Sequence, residues 1–463
     1  LYGTKLTLGI VQTKLEEHNI HHDCQLISVE AGEVVKLSNI YVEFIRNTHS
    51  IADSCSLAIH TPLGIIFHTG DFKIDYTPID GKVMDLERIS ALGKKGILLL
   101  MADSINVERR GHSISEKTIG DTFEKVFAKA EGRIIVATFA SNIHRMQQIV
   151  DSSIKYGRKV AFMGRSMENV FKVARDLGYL TIPETSVISA DELNNYPKEK
   201  ITIITTGSQG EPMASLARIA FGSHRKLQVE EKDLYIVSAS PIPGNEKLIS
   251  KVINELFRKG ANVVYDDIEE VHVSGHAYQE EIKLIHTLTH PKYFLPVHGE
   301  YRHLKRHAEL AESLGMDKSN IFIIETGDVL EITDKGAMKA GRVPSGIVFV
   351  DGIGVGDVGN IVLRDRKSLA QEGMFTIVVT IERESCSIIA GPDIITRGFI
   401  YAKESEDLIS EAKEIAKTQL EKCLSEQLLE WSILKNNVKK SVEKLLYEKT
   451  KRRPTIIPII MEI

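Results

Sequence analysis

SLAIHTPLGIIFHTGDFK, residues 56–73, decides how the first part of this chain folds. Two apolar runs surround Thr61-Pro62-Leu63-Gly64, so the stretch reads as a β-hairpin. Its second strand ends on His68-Thr69-Gly70-Asp71, which places a carboxylate at a strand end. Upstream, QLISVE (25–30) and NIYVEFIRNTH (39–49) alternate in strand fashion, and the second ends on His49. Downstream, KGILLLMADS (95–104) is a continuous apolar strand ending at Asp103. These pieces make a β-rich layer whose loops carry the polar residues.

From about residue 117 the rhythm changes. The apolar strands RIIVATFA (133–140), KVAFMG (159–164), ITIITTG (201–207) and DLYIVSAS (233–240) alternate with helical stretches. That is the βαβ pattern of a parallel sheet covered by helices. The segments that follow, SNIHR, RSMEN, SQGEP and SPIPGNE, read as loops at the carboxyl edge, where such sheets bind ligands. Residues 261–340 return to the first style. NVVYDD leads into HVSGHA, a helix runs from Gln279 to about Thr289, and YFLPVHGE leads into a helix from Tyr301. One layer therefore reads as interrupted by another. After about Gly341 a third unit begins, with IVFVDG, NIVLRD and FTIVVTIE as strands. A helix follows over Leu408–Leu429 with Leu408, Ala412, Ile415, Leu420 and Cys423 near one stripe. A second helix carries Val438, Val442, Leu445 and Leu446, and TIIPIIMEI closes the chain as a strand.

A length of 463 residues fits about three structural units. Hydrophobic residues at 43% and charged residues at 26% read as soluble and globular, and no apolar run approaches the roughly 20 residues of a membrane span. A net charge of −5 argues against a generally basic coat for nucleic acid, so any such binding uses a local groove. Cys24, Cys55, Cys386 and Cys423 are scattered, as expected of reduced thiols in a cytoplasmic protein. No signal or transit peptide is visible. The opening, LYGTKLTLGI, reads as the middle of a fold, and an upstream segment is expected.

His49, Asp71, His276 and His298 each sit at the end of an apolar run and offer the ligand types of a hydrolytic zinc site. Separately each signal is weak. A histidine at a strand end is more often a hydrogen-bonded or surface residue, Asp71 after Gly70 also fits a turn, and His276 also fits a helix cap. Among 16 histidines chance pairings are expected, and His286 and His307, for example, have no context that marks them.

The strings NTHSIADS, HTGDFKID, MADSINVERRG, FASNIHRMQQI, TTGSQGEP, SASPIPGNE, HVSGHAYQEE and PVHGEYRHL, in this order, closely resemble ribonuclease J. That family belongs to the β-CASP branch of the metallo-β-lactamase superfamily, and the resemblance extends to the closing RRPTIIPIIMEI. It implies an α/β fold: a metallo-β-lactamase αββα sandwich interrupted by a parallel-sheet β-CASP insertion, plus a small α+β C-terminal domain. The corresponding boundaries are 1–116 and 261–342 for the first domain, 117–260 for the insertion and 343–463 for a dimerisation-type domain. It implies zinc, two ions per site, with His49, Asp71 and His298 as ligands and Asp71 as the bridge. His276 would act beside the scissile phosphate, and Asp103 would orient a site histidine. His272, Val273, Ser274, Gly275 and His276 would hold the terminal phosphate, and Ser141, Asn142 and Ile143 would form a second substrate loop. Asp351 would bind an additional divalent cation such as calcium.

The implied activity is hydrolysis of single-stranded RNA, 5′-to-3′ from a 5′-monophosphate end with endonuclease capacity, in RNA decay and maturation. Arg145, Arg165, Arg218 and Arg225 would line the RNA path. A homodimer or homotetramer, an RNA-decay assembly and no membrane contact complete the expectation. The family's HxHxDH string is not in this sequence, and HNIHHD (18–23) has the wrong spacing for it and reads as solvated surface. The alternative is therefore a catalytically incomplete fragment that serves as an RNA-binding or dimerisation scaffold. The basic run Lys449, Lys451, Arg452 and Arg453 reads as a solvated helix end.

Overall fold

Alternation in NIYVEFIR becomes a strand over Ile40–Arg46, and most of the other periodic runs also become the elements they suggest. The computed structural model describes residues 1–266, 268–352, 354–400 and 405–463. They form two compact units, Leu1–Pro344 and Ser345–Ile463.

In the first unit, a two-residue strand β1 (Tyr2–Gly3) pairs with β2 (Ile27–Ser28), on either side of helix α1 (Lys5–Glu17). Strands β3 (Val34–Leu37), β4 (Ile40–Arg46), β5 (Cys55–Thr61) and β6 (Gly64–His68) then form an antiparallel meander. Helix α2 (Leu86–Lys95) crosses to β7 (Ile97–Asp103), which lies parallel to β6.

The next stretch is regular α/β. Helix α3 (Lys117–Ala128) precedes β8 (Ile134–Ala137), α4 (Ile143–Lys155), β9 (Lys159–Met163), α5 (Arg165–Asp176) and β10 (Ile201–Thr205). Helix α6 (Ser215–Ala220), β11 (Leu234–Val237), α7 (Glu246–Arg258) and β12 (Asn262–Tyr265) follow. The five strands pair in parallel in the order β12-β11-β8-β10-β9. Strand β8 is buried at every position, which is why it reads as a continuous apolar run rather than an alternating one. RSMEN, expected as a loop, is the first turn of α5: Gly164, at φ +106°, turns the chain straight into the helix. Helix α1 packs on α5, and Leu6 joins the core of this second sheet rather than the first.

The chain then returns to the first sheet through α8 (Gln279–Thr289), β13 (Tyr293–Val297) and α9 (Tyr301–Ser313). Strand β13 adds parallel to β7, giving the order β13-β7-β6-β5-β4-β3. One face of this sheet, with Ala58, Phe67, Leu100 and Phe294, is buried with Ile89 and Leu92 of α2, Ile282 and Ile285 of α8 and Ala311 of α9. On the other face Leu99, Tyr293 and Leu295 meet Leu330, Ile332 and Ala337 of the hairpin β14 (Asp328–Thr333) and β15 (Gly336–Arg342).

In the second unit only Val350–Asp351 of the expected IVFVDG strand is β, paired as β16 with β17 (Gly354–Val355). NIVLRD is not a strand but the start of α10 (Asn360–Glu372). Six residues are too few to separate a period of 2 from one of 3.6, and the helix-forming RKSLAQE continues the turn until Gly373, at φ +75°, ends it. Strands β18 (Met374–Glu382), β19 (Ser387–Arg397) and β20 (Thr455–Glu462) form a sheet in the order β19-β18-β20. Helices α11 (Glu406–Ser425) and α12 (Trp431–Thr450) share a core with Phe375, Ile377, Val379 and Ile381 of β18.

Candidate metal centre

Five side chains from five separate stretches meet at one end of the six-stranded sheet. Asp71 lies just past β6, after Gly70 at φ +62°. The loop carrying His49 is sewn to it. Lys73 N donates to Thr48 O at 2.8 Å, Thr48 Oγ1 donates to Lys73 O at 2.6 Å, and Asn47 Nδ2 donates to Thr69 O at 2.8 Å. Asp103 closes β7, and its register partner across the parallel pair is Val297, so His298 emerges beside it. His298 itself is left-handed at φ +60° and is followed by Gly299 at φ +120°, a sharp exit into α9.

His276 sits in the loop before α8. That loop is held by Asn106 Nδ2, which donates to Ser274 Oγ at 2.7 Å and His276 O at 3.1 Å, and by Ala277 N, which donates to Phe72 O at 2.6 Å. Glu281, 1% exposed, accepts hydrogen bonds from Ile74 N, Ser113 N, Ser113 Oγ and Tyr278 N, at 2.7–2.8 Å. Glu281 with Tyr278, and not His276, therefore forms the start of α8. The signal for this was present in YQEE, where a glutamate stands at the third helical position.

The geometry has two centres. His49 Nε2 and His298 Nε2 face the same oxygen, Asp71 Oδ2, at 3.9 and 3.8 Å. His276 Nδ1 lies 2.6 Å from Asp103 Oδ2, and its ring is 5.0 Å from that of His49 and 5.3 Å from that of His298, centre to centre. Among the described residues two sets of ligand-type groups come within 4.8 Å of one another: His49, Asp71 and His276, and Asp103, His276 and His298.

Tautomers sharpen the picture. His49 Nδ1 lies 2.7 Å from Gly275 O, so Nδ1 carries the hydrogen and Nε2 presents a lone pair toward Asp71. A lone pair facing a carboxylate oxygen is unfavourable unless a donor or a cation lies between them. Ser50 Oγ, at 3.2 Å from Nε2, can supply a donor, but two histidines converging on one carboxylate oxygen fit a cation better. Burial, then the neighbouring His276, holds the pKa of His49 below the ordinary imidazole range, which favours the neutral ring. For His276 burial acts in the same direction, but the hydrogen bond and charge of Asp103, and then Asp71, outweigh it and raise the pKa. The two histidines thus differ in charge tendency although they touch.

The expected substrate residues divide. Ser141 is exposed, Asn142 caps α4 by accepting from Arg145 N at 3.0 Å, and Ile143 is wholly buried in the core. Val273 is also a core residue, and Ser274 Oγ is taken by Asn106 Nδ2 and His276 N. His272 has its pKa pushed down to about 3 by burial and then by Arg145, so it is neutral. Arg145 does not line a nucleic-acid path. It is 0% exposed, with Nε donating to Glu116 at 2.6 Å and Nη1 donating to Ser238 Oγ at 2.6 Å and Val271 O at 3.1 Å. The βαβ packing of α4 against the strand ends turns it inward. Arg165 and Arg225 are exposed and Arg218 is half-buried. Asp351, in the second unit, is exposed and pairs with Arg366 at 2.6 Å, and it is in neither cluster of ligand-type groups. Asn106, Glu281 and Ser104 were not singled out by sequence, because their roles depend on partners far away in the chain.

Gly275 is the tightest contact of the centre. A Cβ there would lie 2.7 Å from His49 Cε1 and Nδ1 and 3.1 Å from Ser50 N. Gly275→Ala is expected to displace the His49 ring and weaken zinc binding by roughly 10- to 100-fold, measured by chelator competition. An unchanged affinity would mean that His49 is not held as a ligand.

Comparison with known proteins matches three stretches to families. Residues 131–256 match the ribonuclease J β-CASP domain, 260–323 the Zn-dependent metallo-hydrolase RNA specificity domain, and 361–463 the ribonuclease J C-terminal domain. The chain is 42% identical over 463 residues to ribonuclease J2 of Bacillus subtilis (strain 168), covering all of this chain and 83% of that protein. It is also 42% identical over 461 residues to ribonuclease J 1 of Streptococcus pyogenes serotype M3, covering 82% of it. A solved structure of a protein of unknown function from Enterococcus faecalis V583 aligns with a TM-score of 0.49 at 17% identity, over 73% of this chain and 75% of that one, too distant to bear on the site.

Proposed function

This chain belongs to the ribonuclease J family, and from that membership we propose that it is a zinc-dependent ribonuclease that hydrolyses phosphodiester bonds of single-stranded RNA. Its fold is the mixed α/β arrangement of the metallo-β-lactamase and β-CASP proteins, followed by a ribonuclease J C-terminal domain. The observation that carries the proposal is the convergence of His49 Nε2 and His298 Nε2 on Asp71 Oδ2 at 3.9 and 3.8 Å.

His49, Asp71 and His298 would hold the metal, with Asp71 shared between two ions. Zinc there would lower the pKa of bound water and offset the charge on phosphoryl oxygens. The remaining work falls to the protein. In hydrolysis a water oxygen bonds to phosphorus, a bond from phosphorus to a ribose oxygen breaks, and that oxygen takes up a proton. His276 would deliver it. Asp103 Oδ2 engages Nδ1, which leaves Nε2 for substrate, and the raised pKa favours the protonated ring. Asp103, 2% exposed, keeps that ring in one orientation. Backbone N–H groups of His272–His276 and the exposed Ser141 would receive phosphates, and Arg165, Arg218 and Arg225 would draw in the strand. Asp351 with its Arg366 partner is the weakest of the proposed cation positions.

The finer reading is 5′-to-3′ exonuclease action from a 5′-monophosphate end, with endonuclease capacity, in RNA decay and maturation. Assembly as a homodimer or homotetramer through the C-terminal domain, and contacts with an RNA-decay assembly, belong to the same proposal. A cytoplasmic location is supported by the four unpaired cysteines. No helix among the described residues is long and apolar enough to cross a membrane.

The test uses the full-length protein and one RNA sequence carrying either a 5′-monophosphate or a 5′-triphosphate. The monophosphate form is expected to be degraded from its end faster, with both activities lost to a zinc chelator. Equal rates on the two ends would remove the terminal-phosphate pocket, and cleavage that survives chelation would remove the metal.

A further inference from the structure

Behind the five site residues runs a second chain of hydrogen bonds that the reaction does not use. Ser104 Oγ lies 2.9 Å from His307 Nδ1, and His307 Nε2 lies 3.1 Å from His286 Nε2. Ser104 and His307 are 0% exposed and His286 is 6% exposed. The ring of Phe294, also buried, has its centre 4.6 Å from both imidazoles.

Burial holds both imidazoles below the ordinary range, His286 at about 4 and His307 well below 6.5, with His286 adding to the effect on His307. Both are therefore neutral. One Nε2 carries hydrogen and the other accepts it, so the contact is a hydrogen bond and not a repulsion. Ser104 Oγ completes the chain by donating either to His307 Nδ1 or to Ala102 O at 3.4 Å. A buried chain of hydrogen bonds holds the elements that it joins in one arrangement.

The origin of the three members gives the chain its meaning. Ser104 follows Asp103 at the end of β7. His286 lies on α8, the helix that starts at Gln279 just after His276. His307 lies on α9, the helix that starts at Tyr301 just after His298. Phe294 lies on β13, the strand that leads to His298. Each of three site residues thus stands on a segment whose next element is tied into this knot.

We infer that Ser104, His307 and His286 are positioning residues, a buried clamp that fixes α8 and α9 against the end of β7 and so sets the separations of His276 and His298 about Asp103. The inference rests on the hydrolase reading of the site, but one of its readouts does not.

The experiment uses the full-length zinc-loaded protein with Ser104→Ala, His307→Phe and the double substitution. Ser104→Ala removes only a hydroxyl, and so stays informative if His307→Phe does not fold. The first readout is the downfield proton resonance of His276 Nδ1–H bonded to Asp103, assigned by its loss in Asp103→Asn. It is expected to shift or broaden in each single variant. The second is steady-state RNA cleavage. Here kcat is expected to fall roughly 10- to 100-fold with KM changed less than about twofold. The double variant is expected to lose no more than the worse single one, because the chain acts as a unit. A conservative core change in the second sheet, Ile203→Val, controls for a general loss of stability. A wild-type proton signal and kcat in Ser104→Ala would overturn the clamp. So would multiplicative losses in the double variant, or an equal fall in kcat in Ile203→Val. If the unsubstituted protein cleaves no RNA, the hydrolase reading fails while the proton signal still decides the clamp.

Discussion

His276→Ala in the full-length protein is expected to lower RNA cleavage by about 10²- to 10⁴-fold while leaving zinc content close to unchanged. The reason lies in how the ring is committed. Nδ1 is engaged by Asp103 Oδ2 at 2.6 Å, so only Nε2 is left to meet either substrate or metal. His49 and His298 instead direct Nε2 at Asp71 Oδ2. The raised pKa of His276 favours a ring that carries both protons, which is a proton donor and no ligand, whereas the lowered pKa of His49 favours a ring that binds metal. The check is paired measurement of zinc per chain and cleavage rate. Loss of zinc together with activity would make His276 a ligand, an outcome its place in both clusters of ligand-type groups keeps open to test.

Arg145→Ala carries the largest expected effect on stability. The guanidinium is wholly buried, and its removal leaves the Glu116 carboxylate, 7% exposed, without its cation. Ser238 Oγ and Val271 O lose a donor as well. Breaking one partner of a buried ion pair costs about 3–5 kcal/mol, most of it from the charge left behind. Denaturant unfolding of the first unit measures this. The companion change Glu116→Gln, made together with Arg145→Met, should recover part of the loss, since no lone charge is then buried. A loss under about 1 kcal/mol, with RNA affinity reduced instead, would return Arg145 to the nucleic-acid path.

The contrast between Arg145 and His276 shows where sequence is informative. Strand-end positions such as His49, Asp71, Asp103 and His298 can be read because an apolar run fixes where the chain stops and a polar side chain emerges. Arg145 sits in an equally suggestive loop, ASNIHR, yet α4 begins at Ile143 and turns it inward. Only the packing of that helix decides which way the side chain points. NIVLRD failed for a different reason: its apolar triplet fits a strand, and the helix signal lies in the residues after it. The Ser104–His307–His286 chain could not be read at all, because its partners lie 203 and 21 residues apart and no local pattern connects them. The parallel sheet over β8–β12 was legible because buried strands and helices alternate along the chain, while the packing of α1 on α5 was not, since nothing in α1 names its neighbour.

Zinc per chain in the full-length protein and in Asp71→Ala, by elemental analysis of both after the same dialysis, decides the ligand set. With Asp71 shared between the ions, about two zincs per chain are expected before the substitution and a loss of both after it. Equal zinc in the two proteins would contradict the ligand set of His49, Asp71 and His298.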